Sequence, residues 1–137
     1  MTLLSIIIGL CYIFTMTIGG SLYPEKKYYN KLFDFKTYLI HFIISLVVSG
    51  YGLYYILSID GRGAFFFAPT IFLILFLLFD KLTLLLLNRH LLIVTKWDFM
   101  PPSYKWYVDG IVMFLLMFIP IISSGIIMNK INWGTFF

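Results

Sequence analysis

Four stretches of this chain carry no charged side chain, and their lengths constrain the fold more than any other feature. They run from Met1 to Pro24, from Thr37 to Ile59, from Gly63 to Phe79 and from Gly110 to Asn129. Lys36 and Asp60 bound the second, Arg62 and Asp80 the third, Asp109 and Lys130 the fourth. Crossing the hydrocarbon core of a bilayer takes about 20 apolar residues, with a working range of about 17–25. Three stretches meet that easily and the third sits at its short limit. None alternates apolar and polar residues with period two, which excludes an outer-membrane barrel despite the terminal Phe137. Lipid offers backbone N–H and C=O groups no partner, so each stretch is expected to be helical.

Composition agrees. Only 12% of the 137 residues are charged while 61% are hydrophobic, against roughly a quarter charged in soluble domains. Such a chain cannot cover a globule with polar surface. An ordinary soluble domain, a disordered tail and a basic-patch nucleic-acid binder are excluded; the lipid bilayer is the expected partner. The expected fold is all-α: a single transmembrane domain over 1–137, forming a four-helix bundle. Its spans fall near 3–23, 37–59, 64–87 and 107–128, with inner loops at 24–36 and 88–106. The first stretch does not read as a cleaved signal peptide. It lacks a basic n-region, and its core is about twice the usual length before Gly19-Gly20-Ser21-Leu22.

Orientation follows from Lys and Arg in short loops. Lys26, Lys27, Lys31 and Lys36 lie between spans one and two, and Arg89, Lys96 and Lys105 between spans three and four. The other side has Arg62 and Lys130, with Lys81 at an ambiguous depth. Both long loops are therefore expected on the cytoplasmic (or matrix or stromal) side and both termini outside. Trp and Tyr favour the headgroup level, and Tyr23, Tyr28, Tyr29, Tyr38, Trp97, Tyr104, Trp106 and Tyr107 all fall at the inner boundary, with Trp133 on the outer side. Cys11 lies in a span, which leaves no disulfide or CxxC chemistry. A weak echo links Lys31-Leu32-Phe33-Asp34-Phe35 with Lys96-Trp97-Asp98-Phe99, too short to establish a duplication.

Small residues let helices approach closely in lipid. Ser45, Ser49 and Gly52 form one such stripe, extended by His41; Ser5 and Gly9 begin another; Met113, Met117, Pro120 and Ser124 mark span four. These read as interior faces of the bundle, with self-association as the sharper alternative. Pro120 frees the Leu116 carbonyl, which Ser123, Ser124 or a water can satisfy, and it is a candidate hinge.

Asp80-Lys81 is the most informative pair. If the inner boundary is at Asn88, Asp80 lies about 12 Å deeper at 1.5 Å per residue, where an ionisable group needs a partner or marks a pathway. Adjacent residues do not face each other on a helix, so each needs another helix or water. The competing reading ends the span at Phe79, lays 82–94 along the interface as a helix, and lets Lys81 snorkel. His41 and Asp109 join Asp80 as candidates for a polar ion pathway in the inner half. More simply, His41 bridges to a neighbouring helix and Asp109 sits favourably at a helix N-terminus. His90 lies beyond Asn88-Arg89, so bis-histidine haem with His41 is not expected. No His-x-x-His or Glu-x-x-His pair suggests a metal, Gly61-Arg62-Gly63 is not a phosphate loop, and no catalytic arrangement or cofactor emerges. The inner lysines are explained by topology without lipid specificity. The leading expectation is a non-enzymatic subunit of a membrane assembly, either a homo-oligomer or part of a larger complex. An ion- or proton-conducting homo-oligomer with Asp80 in its path, including a membrane-depolarising effector, is the alternative. A small redox or enzyme subunit is third.

Overall fold

A computed structural model describes residues 2–57 and 63–134, with side chains described over 3–57 and 63–129. The turn around Arg62, the end of span two at Ile59, and the side chains of Lys130 and Trp133 lie outside the described residues. Within them the chain is all-helical, without a strand. Three helices, Phe35–Tyr55, Ala64–Leu87 and Trp106–Asn129, are long and apolar enough to cross a membrane, and Leu3–Ile18 is a shorter apolar helix.

Helix α1 covers Thr2–Ile18. It stops five residues before the expected end of span one because Gly19-Gly20 turns the chain, with Gly20 at φ +111°. That left-handed conformation is open to glycine at little cost. Two short 3-10 segments, Pro24–Lys26 and Tyr28–Phe33, follow. Helix α2 then covers Phe35–Tyr55. Asp34 caps it, its Oδ2 accepting from the Thr37 N–H at 3.0 Å and the Thr37 hydroxyl at 2.8 Å. Those two bonds hold the Asp34 carboxyl below its ordinary range.

After a 3-10 turn at Ala64–Phe67, α3 runs over Ala68–Leu87. It continues through Asp80-Lys81 to a left-handed Asn88 at φ 52°, whose N–H returns to the Leu84 carbonyl at 3.0 Å. Residues 82–87 therefore continue α3 and 88–94 are not helical, so 82–94 do not form a separate interfacial helix. Residues 89–105 leave the helix without forming another. A wide helical turn at Trp106–Gly110 leads into α4, Ile111–Gly134, which passes through a buried Pro120 without interruption.

Helix α3 is the spine, packed against α1, α2 and α4. Phe72, Leu73 and Phe76 are fully buried on it and meet Ile13 of α1, Leu116 of α4 and Tyr29 from the first loop. The opposite faces of all four helices are apolar and uncovered; Leu3, Val47, Leu85 and Phe114 are examples. The 64–67 turn plugs one end of the bundle between α1, α2 and α4. Close approach there needs glycine: a Cβ on Gly52 would meet Phe66 Cβ at 2.6 Å, and one on Gly9 would meet the Phe65 carbonyl at 2.7 Å.

Candidate functional site

At the opposite end both long loops fold onto the helices and onto each other. The segment after α3 begins with a reversal at Asn88 and continues Arg89-His90-Leu91-Leu92-Ile93-Val94-Thr95. Leu91, Ile93 and Val94 are buried, and the first two belong to the same apolar cluster as Phe72 and Phe76. A run this apolar returns to the bundle because burying its side chains outweighs the cost of ordering it.

The reversal stations two consecutive basic residues between two buried carboxylates. His90 Nδ1 lies 3.0 Å from both Oδ atoms of Asp80, and the Leu91 N–H donates to Asp80 Oδ1 at 3.0 Å. Arg89 Nη2 pairs with Asp109 Oδ2 and also donates to the Ser103 carbonyl at 3.0 Å. The Lys105 N–H adds a 2.8 Å bond to the same Asp109 oxygen. Asp80 is 8% and Asp109 2% exposed. A buried carboxylate demands such donors, and the segment Arg89-His90-Leu91 supplies them to Asp80 on α3 and to Asp109 in the turn before α4 together.

A third pair locks the two loops together. The ammonium of Lys27 binds Asp98 and also donates to the Thr17 carbonyl at 3.2 Å. Both side chains are sealed, at 0% and 3% exposure. Burial pushes the Asp98 carboxyl up, but donors from Lys27 and from the Thr95 N–H and hydroxyl outweigh it and hold the group below its ordinary range. Beside it the Ile93 N–H donates to the Tyr29 hydroxyl at 3.1 Å. Burial pushes the Tyr29 phenol up to about 12. The Phe99 N–H reaches the Leu22 carbonyl at 2.9 Å, and the rings of Tyr23 and Phe99 stack at 4.9 Å.

The candidate pathway residues do not converge. His41 shares a 3.1 Å hydrogen bond with the Tyr12 hydroxyl across α1 and α2. Asp80 is taken by His90 and Leu91, Asp109 by Arg89 and Lys105. Lys81 is exposed on the outside of α3. The two histidines have different partners, Tyr12 for His41 and Asp80 for His90. Ser45, Ser49 and Gly52 are buried against α3 and the turn before it. Ser49 Oγ and Thr70 Oγ1 lie 2.7 Å apart, and the Thr70 hydroxyl donates to the Ser45 carbonyl at 3.0 Å. Ser5 is likewise fully buried. Near Pro120, Ser124 Oγ is buried and makes no hydrogen bond among the described residues.

Among the described residues no group of three or more His, Cys, Asp and Glu side chains could hold a metal ion. Lys27, Asp98 and Tyr29 escaped sequence reasoning as buried groups, and Arg89 as the half-buried partner of Asp109. The signal that could have exposed them is the apolar run at 91–94, which a solvated loop does not need. No family model matches the chain, and no curated protein or solved structure is significantly similar to it.

Proposed function

We propose that the chain is an integral membrane protein of four spans, with both termini outside, that works without catalysis as a subunit of a homo-oligomeric membrane assembly. One observation carries the reading. The buried carboxylates of the loop end, Asp80, Asp98 and Asp109, are each paired with a basic side chain, whereas the outward faces of all four helices are apolar. Soluble monomers rarely expose contiguous apolar area beyond a few hundred Å², and lipid is the solvent that accepts such a surface. Placing the loop end inside agrees with the distribution of basic residues. Setting aside Lys27 and Arg89, which are paired with Asp98 and Asp109, leaves Lys26, Lys31, Lys36, Lys96 and Lys105 against Arg62 and Lys130.

Support for self-association comes from glycines that the fold itself does not use. Gly9 and Gly52 are filled by their neighbours, but a Cβ on Gly50 or Gly125 would meet nothing within 4 Å. Gly50 faces outward between Val47 and Tyr54. A mid-helix glycine costs roughly 0.5–1 kcal/mol relative to alanine, and close contact with another helix is what offsets that cost in lipid. The test is the native mass of the chain in lipid nanodiscs beside Gly50→Leu. The reading expects an oligomer that Gly50→Leu shifts toward monomer while helicity is unchanged. A wild-type monomer would overturn it.

A further inference from the structure

A cleft of 130 Å³ lies between the Tyr28–Phe33 segment, the first turn of α2 and the face of α3. It is lined by Phe33, Phe35, Tyr38, Phe76 and Asp80, together with Leu32 and Leu77. Cavities of about this size class admit a small ring such as benzene, so a compact organic group fits. The chemistry selects which kind. Phe33 and Phe76 lie 5.5 Å apart, and Phe33 also rests on His90 at 4.4 Å. The Tyr38 hydroxyl is turned away to the Leu73 carbonyl at 2.9 Å, which leaves its ring for the cleft. Aromatic faces attract cations, and Asp80 retains acceptor capacity beyond its bonds from His90 and Leu91. The Asp80 carboxyl is the one acidic group among the residues that line the cleft. Apart from Asp80 the lining gives an N–H nothing to donate to, and a primary ammonium carries three such donors, so the cleft suits a cation without N–H donors better.

We propose that this cleft is a binding site for a quaternary ammonium group, with Asp80 as its counter-ion and the four rings as its walls. Phe35 is the first residue of α2 and 76% exposed, so the mouth opens at the end of the helix. In a bilayer that is the headgroup level, where a choline headgroup or a free quaternary amine can reach it. The site does not depend on self-association.

The test uses the full chain in phosphatidylglycerol nanodiscs, titrated with tetramethylammonium at constant salt, with binding read by saturation transfer to the N-methyl protons. Saturable binding is expected, about tenfold weaker in Asp80→Asn for loss of the charge-assisted contact and several-fold weaker in Phe35→Ala. Phe35→Ala removes an exposed ring and spares the core, so it tests the cleft even if Asp80→Asn fails to fold. Weaker binding in phosphatidylcholine discs than in phosphatidylglycerol discs assigns the site to the lipid headgroup; equal binding assigns it to a free cation. No saturable binding in phosphatidylglycerol, or binding that Phe35→Ala leaves unchanged, overturns the proposal.

Discussion

Replacing Lys27 by methionine tests the most exacting feature of the loop end. The side chain is 0% exposed and its ammonium is shared between Asp98 and the Thr17 carbonyl. Methionine keeps a long unbranched stem, so packing is largely preserved and the charge is what is lost. Asp98 then stays buried with only the Thr95 donors around it. Removing one partner of a buried pair costs about 3–5 kcal/mol, mainly because the other charge is stranded. Against a total of about 5–15 kcal/mol for a typical domain, that is roughly a fifth or more. Adding Asp98→Asn removes the stranded charge while keeping an acceptor for Thr95, and the double variant is expected to recover most of the loss. The assay is unfolding by SDS titration from mild detergent, followed by circular dichroism, over the full double-mutant cycle. Lys26 and Lys31 are internal controls. Both are exposed, over the rings of Tyr23 at 5.6 Å and Tyr28 at 5.5 Å, and their methionine variants should stay within about 0.5 kcal/mol of wild type. If Lys27→Met falls in that same range, the lysine snorkels to water like its neighbours and the buried pair does not exist. The sign with pH follows from the depressed Asp98 carboxyl. Its contribution is fully present above the ordinary value of 3.8 and fades as pH falls below it, so Asp98→Asn should flatten the acid limb of the stability curve.

Two further outcomes follow from the same geometry. Gly52→Ala places a Cβ 2.6 Å from Phe66 Cβ and should cost about 1–3 kcal/mol by overpacking; Gly50→Ala meets nothing within the chain and, in a detergent that holds the chain monomeric, should be neutral or stabilising by about 0.5–1 kcal/mol, so equal effects in thermal unfolding there would contradict the assigned helix faces. Tyr29→Phe strands the Ile93 N–H and should cost about 1–3 kcal/mol. In wild type the phenol, pushed to about 12, keeps its full contribution below its ordinary value of 10.0 and loses it between there and about pH 12, an alkaline limb that Tyr29→Phe should lack.

What was legible in the sequence and what was not divides along a physical line. The all-helical architecture and its long apolar helices follow from the absence of charge over whole spans, a local property that lipid enforces residue by residue. The partner of Asp80 is not local. Two facts were available, that Asp80 and Lys81 face different ways and that a buried carboxylate needs donors, and together they demanded a second element. They pointed to another helix or water, whereas the donors come from ten and eleven residues further along the same chain. The left-handed Asn88 makes that return, and the apolar run at 91–94 holds it. Lys27 was hidden for a different reason. Counting basic residues for topology treats each lysine alike, but Lys26 and Lys31 lie over exposed rings while Lys27 is inserted between the two loops. The echo between the loops concealed the same difference: Asp34 caps α2 through Thr37, three residues ahead, whereas Asp98 binds Thr95, three residues behind, and reaches across to Lys27. Charges that look equivalent in a loop are sorted by which of them the returning chain can cover, and that depends on a reversal no periodicity announces.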